Sequence, residues 1–353
     1  MGKKGEVTME TEVREIKKEN NISSRFLLLG MVFTTLSVLF IFHQSSREIK
    51  VRDHYSNIKK LTPEKLAFFG GSPAEVKIGM YIRNFPEFNP VQGTFIADAT
   101  VWFIFDPRLI SVERVGQFSF ERSEILRRSE PSIRIIDKQV FVRYDIRLRS
   151  TMEFDYHDFP FDGHRLNFTL ANYFVSPAEL NFDSARASLV LNDEIDLPGW
   201  NNTDRRVSSG YIEERLYTQS GEQVAFYPRV AFSFDFERMG LRHIISIFMP
   251  LLLIFFVALF TFAFDARGEM GSQTIALSVT AITAMIAYRF VIENMSPQVG
   301  YLMASDYIFM TFLVCCCVIF CANVFAKKIS LFIRSVLSVV LQAVVIVTFF
   351  FVV

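Results

Sequence analysis

Residues 154–168 read "FDYHDFPFDGHRLNF". The Phe159-Pro160-Phe161-Asp162 run interrupts a region of alternating apolar and polar residues, and proline has no N–H to give a strand ladder. The segment therefore reads as a loop. A loop this rich in aromatic rings has to bury them against something, and the rest of the chain must supply the partner.

The chain of 353 residues is 51% hydrophobic and 15% aromatic, with 39 Phe, and its apolar residues fall in blocks. Five uncharged stretches stand out: Phe26–Phe42, Ile244–Phe264, Met270–Tyr288, Tyr307–Ala326 and Ser335–Val353. Each has the roughly 17–21 residues that an α-helix needs to cross about 30 Å of hydrocarbon. A multi-pass membrane protein in contact with the lipid bilayer is expected. Lys3, Lys4, Arg14, Lys17, Lys18 and Arg25 precede the first stretch and place the N-terminus in the cytoplasm. No small-x-small cleavage site follows it, so it reads as a retained signal anchor over 26–42 rather than a cleaved signal peptide. Counting crossings puts the long hydrophilic region and the C-terminus outside and leaves Lys327, Lys328 and Arg334 in an internal loop.

Residues 1–25 are mixed in charge and poor in apolar side chains, which predicts a disordered cytoplasmic tail. Residues 43–75 read as a linker with a short helix ending at Gly70-Gly71, and 76–242 as an external domain. In that domain "TFIADATVWFIF", "QVFVRYDIRLR" and "RVAFSFDFER" alternate as strands, with Val230, Phe232, Phe234 and Phe236 on one face. Many short strands at fairly even spacing predict an immunoglobulin-like β-sandwich.

Lys+Arg and Asp+Glu balance at 37 each, and no basic stripe exists to neutralise phosphates, so no nucleic-acid partner is expected. The four cysteines, Cys315, Cys316, Cys317 and Cys321, all lie in one apolar block, which excludes a disulfide framework outside it and favours small hydrophobes over metal ligands. Asp155, His157 and Asp158 could mimic a metal site, but strand alternation separates them, so neither metal nor cofactor is expected. Without an HExxH, a GxSxG or a phosphate-cradling Gly loop, the chain does not read as an enzyme.

From about Val76 onward the chain resembles the prokaryotic pentameric ligand-gated ion channels, relatives of the Cys-loop receptors. Trp102, Asp106, Arg108 and Leu109 follow the family's Trp-x-x-x-Asp-x-Arg-Leu pattern, "DFPFDGHRLNF" is similar to its signature loop without flanking cysteines, Arg238 precedes Pro250 at the family's interval, and "SPQVGYLMASDYIF" resembles the connection after the pore helix. The resemblance implies a homopentamer with four bundle helices over 243–353 in each copy, set in a bacterial inner membrane and gated by an unknown small ligand or by protons. It implies that Phe159, Pro160, Phe161 and Asp162 pack on the membrane helices, that Asp162 pairs with Arg238, and that Pro297 belongs to the same gating junction. Asn89 and Pro90 stand where the family often has acids, and His164 where it usually has Gln.

The most polar span, Met270–Tyr288 with its outer extension, is the pore-lining candidate. The resemblance puts Ser272, Ala276, Thr280, Thr283, Ala287, Phe290 and Asn294 on its pore face. Thr283 takes the place of the family's apolar central ring, so a hydrophobic gate lies either at Ala287 and Phe290 or, with the register moved by one, at Ile282 or Ile286. Glu269 and Glu293 at the two mouths, beside Arg267 and Arg289, lean toward permeant cations. Tyr173, Phe174 and Tyr217 are the ligand-binding candidates by position, against the alternative that they are core. A non-conducting receptor or scaffold of the same architecture is the second reading.

Overall fold

The structure is a computed structural model, and it describes residues 25–45, 51, 58–70, 72–218, 221–238, 241–264 and 271–353. Residues 1–24, Glu269 and Arg267 lie outside them, and with them the readings of the tail and of the inner acidic ring. The chain divides into two units.

One unit is a β-sandwich. Its larger sheet runs β4 (Ser123–Arg128), β6 (Gln139–Thr151), β2 (Thr94–Phe105), β1 (Ala74–Asn89) and β8 (Leu180–Asp183), with β5 (Ser132–Ile136) on β6 and β9 (Leu189–Leu191) on β1. The smaller sheet runs β10 (Trp200–Thr218), β11 (Gly221–Arg238), β7 (Gly163–Ala171) and β3 (Ser119–Phe120). In β6 the burial alternates residue by residue, so Val140, Val142, Tyr144, Ile146 and Leu148 enter the core while the arginines between them stay out. Their partners across the sandwich are rings such as Phe168, Phe232, Phe234 and Phe236. The face expected from "RVAFSFDFER" is in place, but its opposite face is buried as well: Ser233 donates to Asn167 Oδ1 at 2.6 Å and Asp235 is held by Arg165. Trp102 lies opposite Gly79, where a Cβ would come within 2.1 Å of the indole, so its place in the motif is one of packing.

The stretch read as a linker contributes to this unit. Thr62 caps the short helix α2 (Pro63–Phe68), with proline in the first turn, where its missing N–H costs nothing. Just before it, Lys59 exchanges two 2.9 Å backbone bonds with Tyr211 of β10, and Phe69 packs edge-on against Tyr211 and Phe226. A second short helix, α3 (Val112–Gly116), follows β2.

The other unit holds Tyr156–Asp162 together with five helices long and apolar enough to span a membrane: α1 (Arg25–Ser45), α4 (Leu241–Phe260), α5 (Gly271–Met295), α6 (Ala304–Val324) and α7 (Leu331–Val352). Each lies within a few residues of its expected stretch. Helix α7 starts earlier than expected because Ser330 caps it by accepting from Ile333 N. Arg334, counted above as an internal-loop charge, is therefore inside the helix and 3% exposed. Thr34 meets Gln342, Phe42 meets Phe349 and Ser45 meets Val353, so α1 and α7 run in the same direction, as the crossing count requires.

Candidate functional site

The partner that the opening loop needs is the helical unit, and the contact is made by backbone as well as rings. The first amides of an α-helix have no partner inside it, and Met303, at the N-cap of α6, has no side-chain oxygen to offer. The loop supplies acceptors. Ala304 N–H donates to His157 O at 2.8 Å and Ser305 N–H to Phe159 O at 3.1 Å. Asp306 serves the neighbouring turn, its Oδ2 accepting from Met303 N at 2.8 Å. On the approach to α6, Tyr301 Oη accepts from Tyr156 N at 2.9 Å while its ring stacks on His157 at 3.9 Å.

The rings complete the anchor. Phe159 is fully buried, and Phe161 lies parallel to Phe248 of α4 with centroids 6.1 Å apart. Pro160, joined to Phe159 by a cis peptide bond, and Asp162 are also buried, with Asp162 1% exposed. His157 is thus engaged with Tyr301, and among the described residues no cluster of three or more His, Cys, Asp or Glu could hold a metal ion. At the far end of β11, Arg238 spreads its guanidinium 4.5 Å over the ring of Trp200. His164 is buried between Phe154, at 4.4 Å, and Trp200, at 5.3 Å, as a packed strand residue.

Helix α5 has two unlike sides. Thr274, Ser278, Ala281, Met285 and Ile292 are buried within the bundle. Ser272, Ala276, Thr280, Thr283, Ala287, Phe290 and Asn294 are all exposed, and at about 100° per residue they form a stripe opposite the buried one. Thr280 and Thr283 donate their hydroxyls to Ala276 O and Val279 O at 3.0 Å, which satisfies the donors and leaves lone pairs outward. Ile282 is half-buried and Ile286 is exposed, to one side of the stripe.

Toward its C-terminal end, α5 carries one cation between two acids. Arg289 Nε meets Glu293 Oε1 at 3.1 Å, and Nη1 meets Asp306 Oδ1 of α6 at 2.5 Å. Arg289, Glu293, Pro297, Tyr301 and Asp306 border a cavity of about 500 Å³, and Pro297 is buried.

Tyr173, Phe174 and Tyr217 are 38%, 70% and 80% exposed, so none is core. Tyr173 donates to Glu121 Oε1 at 3.2 Å and lies edge-on to Tyr227 at 5.0 Å. Glu121 also pairs with Arg229, whose burial pulls its guanidinium down to about 10. Burial, with Glu214 and Tyr227 near, raises the Tyr173 phenol.

Sequence reasoning missed a polar hub inside the bundle. Asn323 of α6 donates to Thr261 Oγ1 at 2.7 Å and to Ser278 Oγ of α5 at 2.6 Å, and accepts from Arg334 Nη2 of α7 at 2.9 Å. Thr261 belongs to the 3₁₀ turn that continues α4, so one asparagine ties four helices together. A lone Asn in an apolar span was the available signal.

Comparison with known proteins gives one line of kinship. The chain is 24% identical over 168 residues to the acetylcholine receptor subunit epsilon of Xenopus laevis. The Cys-loop receptor superfamily is thereby supported. The match covers 42% of this chain but only 30% of the receptor subunit's length. No family model matches the chain. With its β-sandwich and its membrane-spanning helices, the chain has an architecture consistent with that superfamily.

Proposed function

We propose that this protein is a ligand-gated ion channel, a homopentamer in which α5 from each copy lines a central pore. The observation that carries the reading is the two-sided α5: its buried side packs in its own bundle, while the opposite stripe, mostly small and hydroxyl-bearing residues, has no cover among the described residues. Five such stripes around one axis close a polar conduit, because a rotational ring of identical copies satisfies every interface. The stripe's position opposite the buried residues favours Thr283, Ala287 and Phe290 as inward rings over Ile282 and Ile286.

In this reading a small ligand or proton acts on the sandwich near Tyr173, Phe174 and Tyr217, and the Tyr156–Asp162 loop passes the change to α4 and α6. The loop's hold on the first amides of α6 supports a direct mechanical role for it. The copies sit in a cell membrane, a bacterial inner membrane, with the sandwich outside. Cations are favoured because two acids outnumber the one arginine at the outer end of α5. Single-channel recording from the purified chain in lipid, with pH and small amines varied, tests the proposal. Gated unitary currents are expected; persistent silence from folded pentamers would replace it with the non-conducting receptor.

A further inference from the structure

Helix α1 is additional to the four-helix bundle, yet it fits that bundle residue by residue. Leu27, Met31, Thr34, Val38 and Phe42 recur at helical spacing and are buried, whereas Phe26, Leu29, Phe33, Leu36 and Phe40 are exposed. Midway along the buried stripe, Thr34 donates to Gln342 Oε1 of α7 at 3.0 Å, and both residues are buried. The amide reaches this place because position 30 is glycine: a Cβ there would lie 2.6 Å from Gln342 Oε1. A segment that serves only as a removable export signal needs hydrophobicity, not a hydrogen bond and a notch matched to a partner 308 positions away.

The outer end of the stripe reaches the loop. Phe42 is 2% exposed, and its ring centroid lies 5.7 Å from Phe161, 5.5 Å from Phe248 and 5.3 Å from Phe349. One ring each from α1, the loop, α4 and α7 thus form a single cluster. Phe42 and Phe248 both pack against Phe161.

We propose that α1 stays docked on α4 and α7 in the mature protein and that Phe42 is a positioning residue for the Tyr156–Asp162 loop. Removing the ring opens a void beside Phe161, and the loop then releases the amides of α6 more readily. The docking stands independently of ion conduction; only its effect on gating rests on the channel reading.

Intact mass of the purified full chain is expected to include residues 25–45. Hydrogen exchange over Tyr156–Asp162 and the first turn of α6 is expected to be roughly tenfold faster in Phe42→Ala, with Phe42→Leu recovering most of the protection and Phe40→Ala, on the exposed side, leaving it unchanged. If Phe42→Ala does not assemble, Phe42→Leu against wild type carries the comparison, with a smaller acceleration expected. Where currents are recorded, the activation midpoint shifts in Phe42→Ala and returns in Phe42→Leu at unchanged unitary conductance. A mass lacking α1, or loop exchange identical to wild type in the Phe42 variants, overturns the proposal. Electrical silence with the exchange effect intact would count against the channel alone.

Discussion

Arg165 of β7 clasps Asp235 of β11 with two parallel hydrogen bonds, Nε to Oδ1 at 2.6 Å and Nη2 to Oδ2 at 2.9 Å. The two residues are direct cross-strand partners, three positions after the buried loop acid and three before Arg238. The clasp therefore joins the strand that leaves the loop to the strand that leads into α4.

Both side chains are nearly excluded from water, at 10% and 5% exposure, so the carboxylate depends on its partner. Arg206, half-exposed and 3.5 Å away, is a weaker second cation. Arg165→Met is expected to destabilise the sandwich by about 3 kcal/mol, the low end for a broken buried pair, because Arg206 offsets part of the loss. Adding Asp235→Leu to that variant should recover most of the stability. Thermal melts of the single and double variants check both statements; equal losses in the two would show that the charge pair is not what matters there.

Asn323 offers a second test, inside the membrane unit. Asn323→Leu leaves the hydroxyls of Thr261 and Ser278 without the donor they now accept from, although each keeps its own bond to a helix carbonyl. Losing a buried polar hub of this kind is expected to cost about 1–3 kcal/mol. The expected result is a lower melting temperature in detergent and faster proteolysis around residues 261–264, with the sandwich signal unaltered. Asn323→Asp, which keeps an acceptor for Arg334, should lose less.

These two networks mark where sequence reading stops. The five spans were legible because hydrocarbon thickness fixes their length, and the strands because β6 and β2 alternate. The loop's aromatic content announced that it packs. Arg334 was misplaced because a cation near a span's end looks like a loop residue until Asn323, eleven positions earlier, is folded against it. Lys59 and Phe69 looked like linker because their partners, Tyr211 and Phe226, lie far along the chain. Short-range patterns report length and face, and they are silent about which polar groups meet.

Acid should weaken the sandwich partly through Asp98. Arg147, its cross-strand partner on β6, holds both carboxylate oxygens at 2.7 and 2.8 Å, and this hydrogen bonding lowers the Asp98 pKa below its ordinary 3.8. A carboxyl group whose folded-state value is lowered contributes its full stabilisation above the unfolded value and loses it as pH falls through the folded one. The melting temperature of the wild type is expected to fall over the acid interval below about pH 4. Asp98→Asn should fall less over the same interval, starting from a lower value at neutral pH. Parallel curves for the two proteins would remove Asp98 from the account.

The charge balance toward the C-terminal end of α5 rests on Asp306, whose carboxylate is 6% exposed and binds Arg289 Nη1 at 2.5 Å. Arg289, Glu293 and Asp306 sum to one negative charge per copy, and Asp306→Asn brings the sum to zero without removing the residue that caps α6. A unit charge about 10 Å from the conduction path through water is worth about 0.4 kcal/mol, or about twofold in local cation concentration. If α5 lines a cation pore, Asp306→Asn is expected to lower unitary cation current by at least about twofold at low salt, with the difference shrinking as salt screens it. Arg289→Gln, which releases both acids, should move the current the other way. The pair discriminates between charge and structure: loss of the Arg289–Asp306 ion pair is common to both variants, so opposite changes in current follow the opposite changes in net charge.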